Sequence, residues 1–108
     1  MRWKDKDIRI ILSTDAKKEY NKLNTIILNS VKQKTNFLRI DPEYGTHISK
    51  DKIPKEYIIK FAVNNIWKLN LVDGWRLIYS IEGNNSEITI LILNIFNHKK
   101  YNKKFKYN

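Results

Sequence analysis

The stretch from Glu87 to Phe96 constrains the fold most, because after Glu87 only Thr89 and Asn94 interrupt a run of isoleucines, leucines and phenylalanine. The turn cluster Gly83-Asn84-Asn85-Ser86 precedes it, and its length and β-branched content read as a strand. A strand so uniformly apolar belongs at the centre of a sheet, covered on much of both faces. The chain has 108 residues, enough for one core and too few for two, so residues 1–108 are read as a single domain.

The remaining segments are legible by period. Ile8, Ile10 and Leu12 alternate with Arg9, Ile11 and Ser13, the pattern of a strand with one face more buried. Ser13 or Thr14 can cap a following helix, with Asp15 in its first turn. Ala16, Tyr20, Leu23, Ile27 and Val31 form an apolar stripe at helical spacing, which predicts a helix, or a helical pair, ending near Thr35. Lys17, Lys18, Lys22 and Lys32 fall on the opposite side and read as a solvated face. Residues 36–62 are punctuated by Asp41-Pro42-Glu43-Tyr44-Gly45 and Pro54, with a short helix expected over Lys55 to Phe61.

From Ile66 the period becomes two. Ile66 to Leu71 and Trp75 to Ile81 read as a hairpin. A two-residue Asp73-Gly74 loop would pair Val72 with Trp75 and leave Lys68 on the face away from Arg76. A three-residue loop, with Gly74 left-handed and a bulge, would pair Leu71 with Trp75 and Asn70 with Arg76, placing Lys68 and Arg76 together. The second register is preferred because it buries Trp67, Leu69, Leu71, Trp75, Leu77 and Tyr79 on one face. From His98 to the end, lysines alternate with aromatics, and Tyr101 and Phe105 lie four apart as on one side of a short helix. The expected architecture is α+β: an N-terminal strand and helix packed on one face of a small twisted, mainly antiparallel sheet. A short basic C-terminal helix closes it, and the other sheet face stays open.

Composition narrows the partners. Lys and Arg number 21 against 11 Asp and Glu, a net charge of +10, which favours RNA, DNA or an acidic protein over neutral ligands. With no cysteine and two histidines the chain has no thiolate ligands, and no metal site or cofactor is expected. The apolar run after Lys6 is short and broken by Arg9, so no signal peptide or membrane span is read and a cytoplasmic location is expected.

Three groups of residues in this order resemble the RelE/ParE superfamily of type II toxins. They are Gly45 with Ile53-Pro54-Lys55; Asn65-Ile66-Trp67-Lys68-Leu69 followed by Gly74-Trp75-Arg76-Leu77-Ile78-Tyr79; and His98-Lys99 with Tyr101 and Phe105. The likeness covers almost the whole chain and is greatest to RelE-type and archaeal members that cut mRNA. It implies a ribosome-dependent endoribonuclease that cleaves mRNA in the A site by attack of the 2′-hydroxyl on the adjacent phosphate, without a metal. It also implies an antitoxin partner, expected to be acidic, and a hetero-oligomer with it. A ParE-like gyrase inhibitor and a non-catalytic RNA-binding homologue are the alternatives.

By the same resemblance Arg76 matches the family's strand arginine. Its planar fork suits two phosphate oxygens and the charge of the pentavalent state, a role worth about 3 to 4 kcal/mol elsewhere. Lys68 is the available strand lysine. His98 offers an imidazole as general acid or base. Tyr101 could stack on a splayed base or orient the phosphate, or else simply pack beside Phe105. Lys99, Lys100, Lys103, Lys104, Lys52 and Lys55 are expected to bind RNA backbone, with His47 and Lys50 as lesser candidates. No carboxylate can be matched to a general base; Glu43 and Glu56 are only nearby in sequence.

Overall fold

The computed structural model describes residues 6–105; the end of the basic tail, 106–108, lies outside the described residues. In chain order the elements are β1 (Asp7–Leu12), α1 (Thr14–Tyr20), α2 (Thr25–Ile40), β2 (Thr46–Ile48) and α3 (Lys55–Phe61). They continue with β3 (Ile66–Asn70), β4 (Arg76–Gly83), β5 (Glu87–Phe96) and α4 (His98–Phe105). Short 3₁₀ turns occupy Lys50–Lys52 and Val72–Gly74. The sheet order is β1-β5-β4-β3-β2, with β1 parallel to β5 and the other pairs antiparallel. The apolar strand is therefore internal, as its composition requires. β2 was not visible in the sequence, since three residues are too few to show a period.

The helical stripe resolves into two helices. Ser13 caps α1, its hydroxyl accepting from the Ala16 N–H at 3.0 Å, and Asn24 caps α2 by accepting from Ile27 N–H at 3.0 Å. α2 runs on past Thr35 to Ile40. Periodicity could not locate the break, because Ala16, Tyr20, Leu23 and Val31 pack against the same sheet face on either side of it.

The open second face of the sheet is a further correction. α1 and α2 cover one face through Ala16, Val31 and Leu38, while Tyr57 of α3 and Tyr101 and Phe105 of α4 cover the other, over Ile66, Ile78 and Leu93. Too many apolar residues lie at both parities of β5 for either face to remain wet.

β5 switches faces once along its length. Ile78 pairs with Asn94 but Tyr79 pairs with Ile92, leaving Leu93 as an extra residue. Before this bulge the even-numbered Ile88, Ile90 and Ile92 face α1 and α2; after it Ile95 does, and Phe96 turns towards α4. Ser13 secures the bulge, its hydroxyl donating to the Leu93 carbonyl at 2.8 Å. Asn94 then accepts from the Tyr57 hydroxyl at 2.6 Å. Burial, reinforced by Glu56 and Glu19, pushes the Tyr57 phenol well above its ordinary range, so it stays the proton donor.

At the opposite side of the sheet Tyr79 donates its hydroxyl to the Pro42 carbonyl at 2.8 Å and accepts from the Gly45 N–H at 3.0 Å. A β-carbon at Gly45 would meet the Lys68 carbonyl at 2.6 Å and the Tyr79 hydroxyl at 2.7 Å. Gly45→Ala must therefore push β2 off β3, and is expected to destabilise the protein by about 1 to 3 kcal/mol. Urea unfolding checks this: the midpoint should fall with the m-value unchanged, and an unaltered midpoint would show that the loop yields freely.

Candidate functional site

The hairpin register decides which side chains meet. Asn70 pairs with Arg76 and Lys68 with Ile78, and the Leu71 N–H donates to the Trp75 carbonyl at 2.8 Å. This is the longer-loop register, and Lys68 and Arg76 share the face covered by α4. The turn differs from the expected one in its backbone: Asp73 as well as Gly74 takes positive φ, 58° and 77°. The bulge lies in β5, not at the turn.

Both cations stand over one aromatic ring. Lys68 Nζ is 5.6 Å and Arg76 Cζ 5.5 Å from the ring centre of Tyr101. The ring itself is 2% exposed and stacks on Phe105 at 4.7 Å, so a nucleobase has no room to stack there. Tyr101 instead serves as a buried platform whose π-face attracts each cation by about 0.5 to 1 kcal/mol.

The guanidinium is aimed from its own turn. Arg76 Nη1 donates to the Gly74 carbonyl at 2.8 Å and the Trp75 carbonyl at 3.2 Å, while Nε is buried without a partner. Among the described residues no carboxylate lies within ion-pair distance of Arg76 or Lys68; Glu87, which might have neutralised the arginine, pairs with Arg9 at 3.8 Å. Two half-buried like charges with no acidic partner among the described residues can hold an anion.

His98 opens α4 and is exposed. It packs on the hairpin turn: a β-carbon on Gly74 would come 3.5 Å from His98 Cβ, and it is the Gly74 carbonyl that holds Arg76. Asn97 starts the helix, its side chain accepting from the Lys100 N–H at 2.9 Å. Turn, arginine and imidazole are thus tied to a common backbone.

The remaining lysines divide. Lys99, Lys100 and Lys103 are exposed on α4, whereas Lys104 pairs with Glu56 at 2.9 Å and ties α4 to α3. Lys50 and Lys52 lie in the 3₁₀ turn and Lys55 at the start of α3, all exposed. His47 lies in β2 opposite Trp67, its ring 4.8 Å from the indole, and so faces away from Lys68. Among the described residues no group of three or more His, Asp or Glu gathers to hold a metal ion. Nor is any described helix long and apolar enough to cross a membrane.

Comparison with known structures places the fold. It superposes on the E. coli toxin RelE, in a mutant form and in the free state, with a TM-score of 0.61 over 91% of this chain and 94% of that one, at 16% identity. The chain has the RelE fold. A chain of the intact E. coli RelBE toxin–antitoxin complex matches with a TM-score of 0.59, covering 82% of this chain and 94% of the other, again at 16% identity. No protein-family model and no curated protein sequence matches.

Lys68 and Arg76 can be tested as an anion site without any RNA. In low-salt buffer lacking phosphate, Lys68→Met is expected to raise the thermal midpoint by relieving repulsion. Phosphate should stabilise the wild type and not the Lys68→Met/Arg76→Met variant. An equal response to phosphate in both proteins would rule the pair out as its binding site.

Proposed function

We propose that this chain is the toxin of a toxin–antitoxin pair and cleaves mRNA on the ribosome. The observation that carries the proposal is the pair of uncompensated cations, Lys68 and Arg76, over the buried Tyr101 ring, in a RelE-like fold. A phosphodiester is an anion of suitable charge for that pair of cations, and its pentavalent transition state carries more negative charge than its ground state. Groups already aimed at the site favour the transition state most.

In the proposed reaction the ribose 2′-oxygen attacks the adjacent phosphorus and loses its proton to a base. The P–O5′ bond breaks, and the 5′-oxygen takes up a proton, leaving a 2′,3′-cyclic phosphate and a free 5′-hydroxyl. Arg76 and Lys68 stabilise the phosphoryl oxygens, and His98 beside the turn supplies a proton donor or acceptor. Lys99, Lys100 and Lys103 hold flanking RNA or ribosomal RNA by charge, without reading sequence. Lys52 and Lys55 would contribute from the α3 side, and Lys104 after giving up Glu56.

An antitoxin partner belongs to the same proposal. Ile26, Phe37, Ile40 and Tyr44 are exposed on α2 and just beyond it, beside Lys32, Lys34 and Arg39, and the helix contains no acidic residue. Such a surface suits an acidic amphipathic partner. Action on translated mRNA places the protein in the cytoplasm.

The test is primer extension on mRNA from a translating extract supplied with wild-type protein or Arg76→Ala. New cuts within codons that require ribosomes, reduced about 100- to 1000-fold in the variant, are the expected result. Intact mRNA accompanied by DNA damage would replace this reading with a gyrase poison. Intact mRNA without toxicity would leave only a binding domain.

A further inference from the structure

The Lys100–Lys103 flank of α4 forms one wall of a cleft of about 600 Å³, which α1 closes on the other side with Lys18 and Glu19. A smaller recess of about 130 Å³ shares Glu19, Phe96 and Lys100 with it and adds Lys22 and Trp75. The carboxylates here already have partners. Asp15 is paired with Lys60, and Glu56 with Lys104. Glu19 Oε1 accepts from Asn94 Nδ2 at 3.1 Å and from the Ile95 N–H at 2.9 Å, taking the place of a neighbouring strand where β1 has ended.

The ammonium groups of Lys18, Lys22, Lys100 and Lys103 have no such partner among the described residues. Sequence periodicity assigned Lys18 and Lys22 to a solvated face. The fold sets them across a cleft from the helix whose first residue, His98, packs on the Gly74 turn.

We infer that this α1–α4 cleft binds the backbone of single-stranded RNA, continuing the path of a strand held at Lys68 and Arg76. The inference rests on the RNA reading above and assigns Lys18 and Lys22 to phosphate contacts. Continuity along the chain favours RNA over an acidic protein segment: Trp75 and Asn97 line the recess, and they immediately precede Arg76 and His98.

The test uses a short 2′-O-methyl RNA, which lacks the attacking hydroxyl and so binds without being cut, titrated against the full-length protein over a range of salt concentrations. Each phosphate contact to a single strand contributes about 0.7 to the slope of log K against log salt. Lys18→Gln/Lys22→Gln should therefore flatten the slope by about 1.4 and weaken binding about tenfold at low salt. Arg9→Gln/Lys17→Gln removes the same charge from exposed positions outside the cleft and should leave the slope nearly unchanged, since only cations in contact with phosphate release its counterions. An unchanged slope in the first variant, or equal losses in both, would overturn the inference and leave the Arg76 reading standing. Absence of RNA binding by the wild type would overturn the inference, while the ribosome-dependent cuts in the translating extract decide the Arg76 reading.

Discussion

The architecture depends on a single irregularity in its most regular strand. β5 is apolar at both parities and must be covered on both faces, yet it also has to deliver the chain into α4 on a chosen side. The bulge at Leu93 accomplishes this by exchanging the faces: Ile95 continues the α1–α2 core while Asn94 and Phe96 turn towards α3 and α4. Ser13 satisfies the bulged carbonyl and caps α1 with the same hydroxyl, so the N-terminal helix and the strand distortion are locked together. Through Asn94 the polar chain from Glu19 to Tyr57 then joins α1 to α3 across the end of the strand.

That switch positions the site. Phe96 pairs with Arg76 and packs against Tyr101, so the ring lies beneath the face bearing Lys68 and Arg76. An aromatic platform draws in cations without neutralising them, unlike a carboxylate, which would fill the phosphate position with its own oxygens. The adjacent turn adds direction, because the Gly74 and Trp75 carbonyls take one edge of the guanidinium and hold its orientation. Preorganised charge of this kind needs no rearrangement when an anion arrives, which is its advantage over mobile surface lysines.

Much of this was legible beforehand, for identifiable reasons. The period-two pattern and Asp73-Gly74 allowed only two hairpin registers, and burial of Trp67, Leu77 and Tyr79 on one face selected the one that brings Lys68 to Arg76. The short helix over Lys55–Phe61 followed from Pro54 and its surroundings. Other features had no local signature. β2 is too short, the break after α1 preserves the apolar stripe, and the bulge at Leu93 lies in a run where isoleucine and leucine occupy both parities. Tyr101 was a candidate for base stacking because its burial under two cations is set by contacts between α4 and the distant hairpin.

The sequence by itself determined the α+β class, the central place of β5, the hairpin and the excess of positive charge, since hydrophobic period, turn chemistry and residue counts are local quantities. Only the tertiary structure decided which charges remain available. Lys104 is taken by Glu56 and Lys60 by Asp15, while Lys68 and Arg76 share a ring and, among the described residues, no acid. The physical reason is that an ion pair depends on distances of a few ångströms between elements far apart in the chain, and those distances follow from the bulge, the register and the helix packing together.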